Sequence, residues 1–313
     1  MLSRTAENLY WLARYVERAE NTARIIDAAS RLNSLPRDYH GVGNDWESAI
    51  AACGAEKAFY GARDTADMRS VINFLAFDGD NPSSIRSCFR TARANARAVR
   101  TALTSETWET LNDAWHRFKR HDGRDMNQQE LARFLNEVKE ASLRFHGTAY
   151  GTMLRNDNYH FTRLGVFIER ADATARILDV KYHVLLPRGT SVGGGIDYFQ
   201  WASILRAVSA LRSYHWVYKD KLKPWLVAEL LVLRPELPRS LAACYRELTS
   251  VLDQLARQYG RQGQTQRMAR AGYSRLANLT IDEVFQGGLH EFLEDFVEQN
   301  NKLGDALAQQ YLV

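Results

Sequence analysis

The stretch from Leu12 to Asp27 reads L-A-R-Y-V-E-R-A-E-N-T-A-R-I-I-D, and the stretch from Leu164 to Asp179 reads L-G-V-F-I-E-R-A-D-A-T-A-R-I-L-D. The second begins 152 residues after the first, close to half of the 313-residue chain. A later pair also matches in the same order, Pro82 to Arg90 with Pro238 to Arg246. We infer from these matches that one helical unit has been duplicated and fused.

The matches divide the chain into two repeats, residues 1–155 and 156–313. No Gly/Ser-rich or Pro-rich linker separates them. The sequence therefore predicts one domain over residues 1–313, a helical bundle in which pseudo-twofold symmetry relates the repeats.

Apolar residues recur at helical spacing along almost the whole chain, as in Leu9, Leu12, Val16, Ala19 and Ala23. The six prolines fall between such stretches. We predict an all-α fold with long connections at 33–44 and 186–196. The predicted helices span 5–20 with an extension to about 32, 44–62, 66–77, 82–103, 106–120, 127–153, 156–184, 197–219, 222–233, 238–260, 264–277 and 289–311.

Composition and charge exclude several classes of protein. The chain is 45% apolar and 25% charged, as in ordinary globular proteins, and its net charge of +4 is too mild to indicate nucleic acid. Three widely spaced cysteines fit a reducing compartment rather than a disulfide framework. Glu7 interrupts any signal peptide, and no apolar run is long enough to span a membrane. We expect a cytoplasmic protein without membrane contact.

The repeated E-R-A-[ED] motif carries charges that both repeats share. Glu20–Arg24 and Asp172–Arg176 are i,i+4 pairs, each worth about 0.2–0.5 kcal/mol. On one interpretation the motif is structural, and its Glu–Arg pairs join two helices that cross at the pseudo-dyad. On the other, Glu17, Arg24, Glu169 and Arg176 line a shared cleft. We expect these four residues to be at least partly buried and paired with one another. The residues concerned are Glu17, Glu20, Asn21, Arg24, Glu169, Asp172 and Arg176.

Several motifs together resemble the bacterial alpha-E domain family, and the resemblance covers the whole chain. They are Met1-Leu2-Ser3-Arg4, Tyr10-Trp11, Glu17 to Arg24, Glu169 to Asp172, Ala92 to Arg97 and Trp108 to Asn112. The family is all-α and has no established activity. The resemblance implies a partner, since such proteins are similar to partners of circularly permuted ATP-grasp ligases and are sometimes fused to them. It thereby implies a role in amide ligation or peptide modification.

Five arginines form a row in the first repeat, at steps of four, three, four and three residues. On one helix all five would lie on one narrow face, suited to phosphate or carboxylate. The second repeat lacks the row. The arginine row has several interpretations. It is a solvated face, or it pairs with an acidic helix that carries Glu291, Glu294, Asp295 and Glu298. Alternatively, it is a surface for an anionic partner or substrate or, less favoured, a surface for nucleic acid. The arginines are Arg86, Arg90, Arg93, Arg97 and Arg100.

Motifs for cofactors and metals are absent from the sequence. It contains no H-E-x-x-H, no C-x-x-C and no G-x-x-x-x-G-K-[ST] pattern. We therefore expect no cofactor and no metal. The leading hypothesis is an accessory subunit that binds an ATP-grasp-type amide ligase or presents an acidic or peptide substrate. The alternative is an enzyme in which Glu17 or Glu169 acts as general base and the arginines hold an anionic substrate.

Overall fold

The computed structural model describes residues 3–34, 44–121, 126–183 and 195–312. Every regular element in these residues is helical, which confirms the all-α class. The helices are α1 Ser3–Asn33, α2 Asp45–Ala52, α3 Glu56–Tyr60, α4 Met68–Ile72 with a π-helical turn Asn73–Phe77, α5 Ile85–Ala98, α6 Ser105–Phe118, α7 Gln128–Thr152, α8 Asp157–His183, α9 Gly195–Ala207, α10 Leu211–Tyr218, α11 Pro224–Val232, α12 Leu241–Tyr259, α13 Gln264–Asn278, α14 Ile281–Gly287 and α15 Leu289–Leu307 with a π-helical turn Ala308–Leu312.

Helices α1 and α8 form the centre of the bundle. They pack against each other, with α5, α7 and α9 around α1 and with α12 and α15 around α8. Between Ala19 and Ile26, every residue of α1 is buried, so this segment has no solvent face. Its polar side chains must therefore find partners inside the protein, because an unpaired buried polar group is costly.

The two central helices are in tight contact at Gly165 of α8. A Cβ atom built there would lie 2.2 Å from the carbonyl oxygen of Tyr10 and 3.0 Å from the Cβ of Ala13. Small residues on both helices therefore set the depth of the crossing. This close contact brings the two E-R-A-[ED] motifs within reach of each other.

Replacing Gly165 by alanine should destabilise the protein by about 1–3 kcal/mol, because backbone atoms of α1 would have to move. Gly147 is the matched control, since it is also helical but has nothing within 4 Å of its Cβ position. There alanine should stabilise by about 0.5–1 kcal/mol through its better helix propensity. Urea unfolding of both variants is the measurement, and equal midpoints would contradict the close packing.

Several predicted helices end at positions where the backbone turns. The helix predicted at 44–62 divides because Gly54 has a φ of +60°, and the one at 197–219 divides at Ser209, which also has a φ of +60°. The helix predicted at 82–103 ends at Ala98, followed by a 3₁₀ turn over 100–102. Helix α14 was not predicted. No helix in the described ranges has both the length and the apolarity needed to cross a membrane.

The local structure agrees between the two stretches that begin at Pro82 and Pro238. Ser84 caps α5 by accepting a hydrogen bond from the backbone N–H of Ser87, and Ser240 caps α12 in the same way from Ala243. Duplication and pseudo-twofold symmetry remain predictions. Most of the long connections predicted at 33–44 and 186–196 lie outside the described residues.

Candidate functional site: a buried ion-pair network and the cavity beside it

Glu17 lies at the centre of the network, in a position fully shielded from solvent. Arg170 of α8 holds its carboxylate with two hydrogen bonds, Nε to Oε1 and Nη2 to Oε2, both 2.9 Å long. Arg239, just before α12, donates to Oε1 at 3.0 Å. The Nε2 atom of His146 in α7 lies 3.0 Å from Oε2. Residues of α7, α8 and the segment before α12 therefore converge on this one carboxylate of α1.

Glu169 has the reciprocal arrangement on α8. Arg18 of α1 holds its carboxylate through Nε, 2.5 Å from Oε1, and Nη2, 3.1 Å from Oε2. Arg14, one turn earlier, donates from Nε to Oε2 at 2.8 Å. The Glu-Arg dipeptide of each helix is thus paired with the dipeptide of the other helix.

This cross-pairing follows from helix geometry. Neighbouring residues of a helix do not face each other, so Glu17 and Arg18 cannot pair within α1. Where two helices cross closely, each carboxylate instead meets the arginine of the facing helix. Two-point contacts of this kind are the strongest side-chain pairs and fix the register of the two helices.

Glu20 extends the network one turn further along α1. It accepts hydrogen bonds from Arg24 Nε at 2.8 Å, from Ser142 Oγ at 2.6 Å and from Arg239. Arg24 in turn donates to the carbonyl oxygen of Ala207 at 3.0 Å. The predicted i,i+4 pair Glu20–Arg24 is therefore present, and it is buried rather than on the surface.

Burial and the arginines act in opposite directions on these carboxyl groups. Burial raises the pKa of Glu169, but Arg18 and Arg14 together outweigh it and hold the pKa at about 2. For Glu17, burial likewise raises the pKa, and Arg170 and Arg239 bring it well below the usual range. Both groups are therefore charged at neutral pH and are weak proton acceptors.

The structure corrects the expected pairing of the sequence-predicted residues. We predicted mutual pairing among Glu17, Arg24, Glu169 and Arg176. These residues do form ion pairs, but the predicted partners are wrong. Arg176 is only partly buried and pairs with Asp172 at 2.7 Å, as predicted for the i,i+4 pair. The four residues do not share one cleft, since Glu17 and Arg24 do not line the cavity that contains Glu169 and Arg176.

That cavity lies between α1, α2 and α8 and encloses about 200 Å³. Its charged lining consists of three arginines and two carboxylates. Its apolar wall includes Ile25 and Leu75. The charged residues are Arg14, Arg18, Glu169, Asp172 and Arg176.

Glu17, Glu20 and His146 place potential metal ligands within 4.8 Å of one another. All four carboxylate oxygens already lie within hydrogen-bonding distance of a donor or of His146. The surrounding guanidinium groups supply the positive charge that a metal ion would bring. This set of oxygen and nitrogen atoms therefore suits arginine partners better than a metal ion.

Four arginines of the predicted row lie on one side of α5, and the fifth lies in the 3₁₀ turn beyond its end. Arg86 donates to the carbonyl oxygen of His121, and Arg93 Nε donates to Asn112 Oδ1 at 2.9 Å. Arg90 and Arg97 are exposed on α5, whereas Arg100 lies beyond its end. Within the described ranges, none of the five pairs with a carboxylate. In particular, none contacts the acidic helix α15, whose Asp295 pairs with Arg275 and whose Glu298 pairs with Lys302.

The sequence did not reveal three members of the network. Arg239 precedes a helix cap, and Ser142 and His146 lie 122 and 129 residues from Glu20 and Glu17. No spacing rule links such distant positions. Arg18 and Arg170 could have been identified from the sequence, because both repeats place an arginine directly after the shared glutamate.

Comparisons with known proteins identify two relatives and one family. Two uncharacterized mycobacterial proteins, Mb2597 of Mycobacterium bovis and MT2643 of Mycobacterium tuberculosis, are each 26% identical over 185 residues. The match covers 53% of this chain and 21% of each relative, so the chain spans about a fifth of the length of these curated relatives. No solved structure matches the chain.

The family model for Alpha-E, described as a predicted alpha-helical domain with a conserved ER motif, matches residues 1–312. The two ER dipeptides of this chain are Glu17-Arg18 and Glu169-Arg170, the groups that pair across the central helix crossing. Since the match extends over essentially the whole sequence, the chain belongs to the Alpha-E family.

Proposed function

We propose that the chain is a binding subunit without catalysis of its own, which acts in the cytoplasm with an ATP-grasp-type amide ligase. The observation that carries the proposal is the cross-paired motif. The charges that would perform chemistry are used to join α1 and α8, and each carboxylate is held by arginines. A general base needs a pKa near the working pH, whereas the pKa values of Glu17 and Glu169 are lowered. This weighs against the alternative of an independent enzyme.

The surface of the first repeat supports a protein partner. Leu143 and Tyr150 are exposed on α7 seven residues apart, which places them on one side of the helix, and Leu154, just beyond its end, is 76% exposed. Exposed apolar side chains on one side of a helix are typical of interaction sites. Thr104 Oγ1 lies 2.7 Å from Thr152 Oγ1, so the segment that follows Arg100 packs against the C-terminal end of the same helix.

The relatives add a second support. In each mycobacterial protein the matching segment is about a fifth of a longer chain. A segment similar to about half of this chain is thus part of a larger polypeptide there. The ligase as partner rests on the family resemblance.

We expect co-expression with an ATP-grasp-type ligase from the same genome to give a complex that survives size-exclusion chromatography. The Arg90→Glu and Arg97→Glu exchanges should weaken it at least tenfold, with melting temperatures nearly unchanged, because both side chains are exposed and form no ion pair in the described structure. Arg246→Glu is the matched control, since Arg246 is exposed and occupies the position of Arg90 in the second repeat.

Two results would contradict this proposal. One is the absence of any complex with the ligase. The other is turnover of a peptide or amide substrate by the purified chain alone, at a rate that falls in the Glu169→Gln variant.

A further inference from the structure

One position at which the two predicted repeats differ lies at the cavity between α1, α2 and α8. Ser83 and Arg239 each stand directly before the serine that caps the following helix, Ser84 or Ser240. The guanidinium group of Arg239 fills the space beside Glu17 and Glu20. Ser83 is too short to fill the corresponding space beside Glu169, and it lines the cavity instead.

Several hydrogen-bond donors at this cavity are left without acceptors. Arg14 uses Nε and Nη1 for Glu169 and Tyr10, and Arg176 uses Nε and Nη2 for Asp172. Within the described ranges, Nη2 of Arg14 and Nη1 of Arg176 have no acceptor. Asn21 lines the cavity, is 4% exposed, and its Nδ2 atom has no partner. A buried amide without a partner is destabilising, so this site favours a ligand that accepts hydrogen bonds.

The backbone of α2 makes room for the same donors. Gly54, in the middle of the connection from α2 to α3, has a φ of +60°, and a Cβ there would lie 2.9 Å from Nη1 of Arg176. A side chain at this position would press on the arginine. Glycine therefore leaves the guanidinium group free to face the cavity.

The charge and the size of the lining indicate the class of ligand. Three arginines and two carboxylates leave one net positive charge, which matches a carboxylate better than a doubly charged phosphate. A volume of about 200 Å³ is small for a binding pocket, so it suits the end of a ligand. Ile25 and Leu75 offer apolar contact to a short carbon chain.

We propose that this cavity binds a carboxylate group on a short apolar stem, either a free carboxylic acid or the carboxyl terminus of a peptide. The proposal rests on the binding role given above and adds a ligand class to it. It is measured with this chain alone, so its failure leaves the ligase partnership untouched.

Ligand-observed NMR titration of the full chain tests the site, with butyrate and the peptide acetyl-Ala-Ala-Ala as carboxylate probes. Butyramide and the peptide amide are the uncharged counterparts. We expect saturable binding of at least one acid, and at least tenfold weaker binding of its amide. Binding of butyrate alone assigns a free acid, and binding of the peptide acid assigns a peptide terminus.

Two variants locate the binding. Arg176→Met removes the donor while keeping the aliphatic stem, and Ala173→Leu fills the cavity without changing its charge. Each should weaken binding at least tenfold. Arg31→Met is the control, because Arg31 also forms an i,i+4 pair on a central helix, with Asp27, but does not line this cavity. It should leave affinity unchanged within twofold.

Three outcomes would overturn the proposal. The first is that the wild-type chain binds neither acid. The second is that inorganic phosphate binds more tightly than both acids. The third is that Arg176→Met and Ala173→Leu bind like Arg31→Met.

Discussion

Replacing Glu17 by alanine should lower the free energy of unfolding by about 3–5 kcal/mol, the usual cost of removing one partner from a buried ion pair. The carboxylate has no solvent exposure, and Arg170, Arg239 and His146 all converge on it. Without it, two guanidinium groups would remain buried with too few acceptors. Urea unfolding monitored by circular dichroism is the measurement.

The matched control is Glu298→Ala. Glu298 pairs with Lys302 at 2.7 Å, but its side chain is 64% exposed. Its loss should cost less than about 1 kcal/mol, as for other surface pairs. If Glu17→Ala costs no more than Glu298→Ala, the network is incidental to stability.

Acidification should remove a second large contribution to the free energy of unfolding, that of Glu169. The pKa of Glu169 is about 2 in the folded protein, against the ordinary value of 4.5 expected in the unfolded chain. A group with a lowered folded pKa stabilises above its unfolded pKa and loses that effect as the pH falls towards the folded value. Between pH 4.5 and 2, the contribution of this side chain to the free energy of unfolding should therefore fall by about 3 kcal/mol, since each pKa unit corresponds to about 1.36 kcal/mol.

Urea midpoints measured at pH 7, 4, 3 and 2.5 check this dependence. Glu169→Gln should be less stable than wild type at pH 7, because Arg14 and Arg18 lose their anion. Its stability should also fall less steeply below pH 4.5. Parallel curves for the two proteins would show that Glu169 does not contribute to the acid sensitivity.

The central helices were predictable from local pattern alone. Leu12, Val16 and Ala19 recur at helical spacing, and the structure places all three in the core. Helix ends were less predictable where one backbone conformation decides them. Gly54 and Ser209 interrupt predicted helices through positive φ values, which an apolar periodicity does not encode.

The site could be predicted only in part, since its partners come from distant segments. The shared glutamates Glu17 and Glu169 were correctly recognised as candidates for burial. Glu–Arg pairs across the helix crossing were expected, but with Arg24 and Arg176, whereas Arg18 and Arg170 form them. Arg239 illustrates the limit most clearly, since only the folded chain brings it to Glu17, 222 residues away.

The crossed pairs also bear on how such a protein could have arisen and how it can be divided. Residues 1–155 contain Glu17 and Arg18, and residues 156–313 contain Glu169 and Arg170, yet neither segment can satisfy its own pair. Two identical half-length chains related by a twofold axis would form both contacts from a single sequence. An ancestral homodimer would therefore have had this helix crossing as its subunit interface. By the same logic, the two halves expressed as separate fragments should reassemble only with each other, and either fragment alone should remain unfolded.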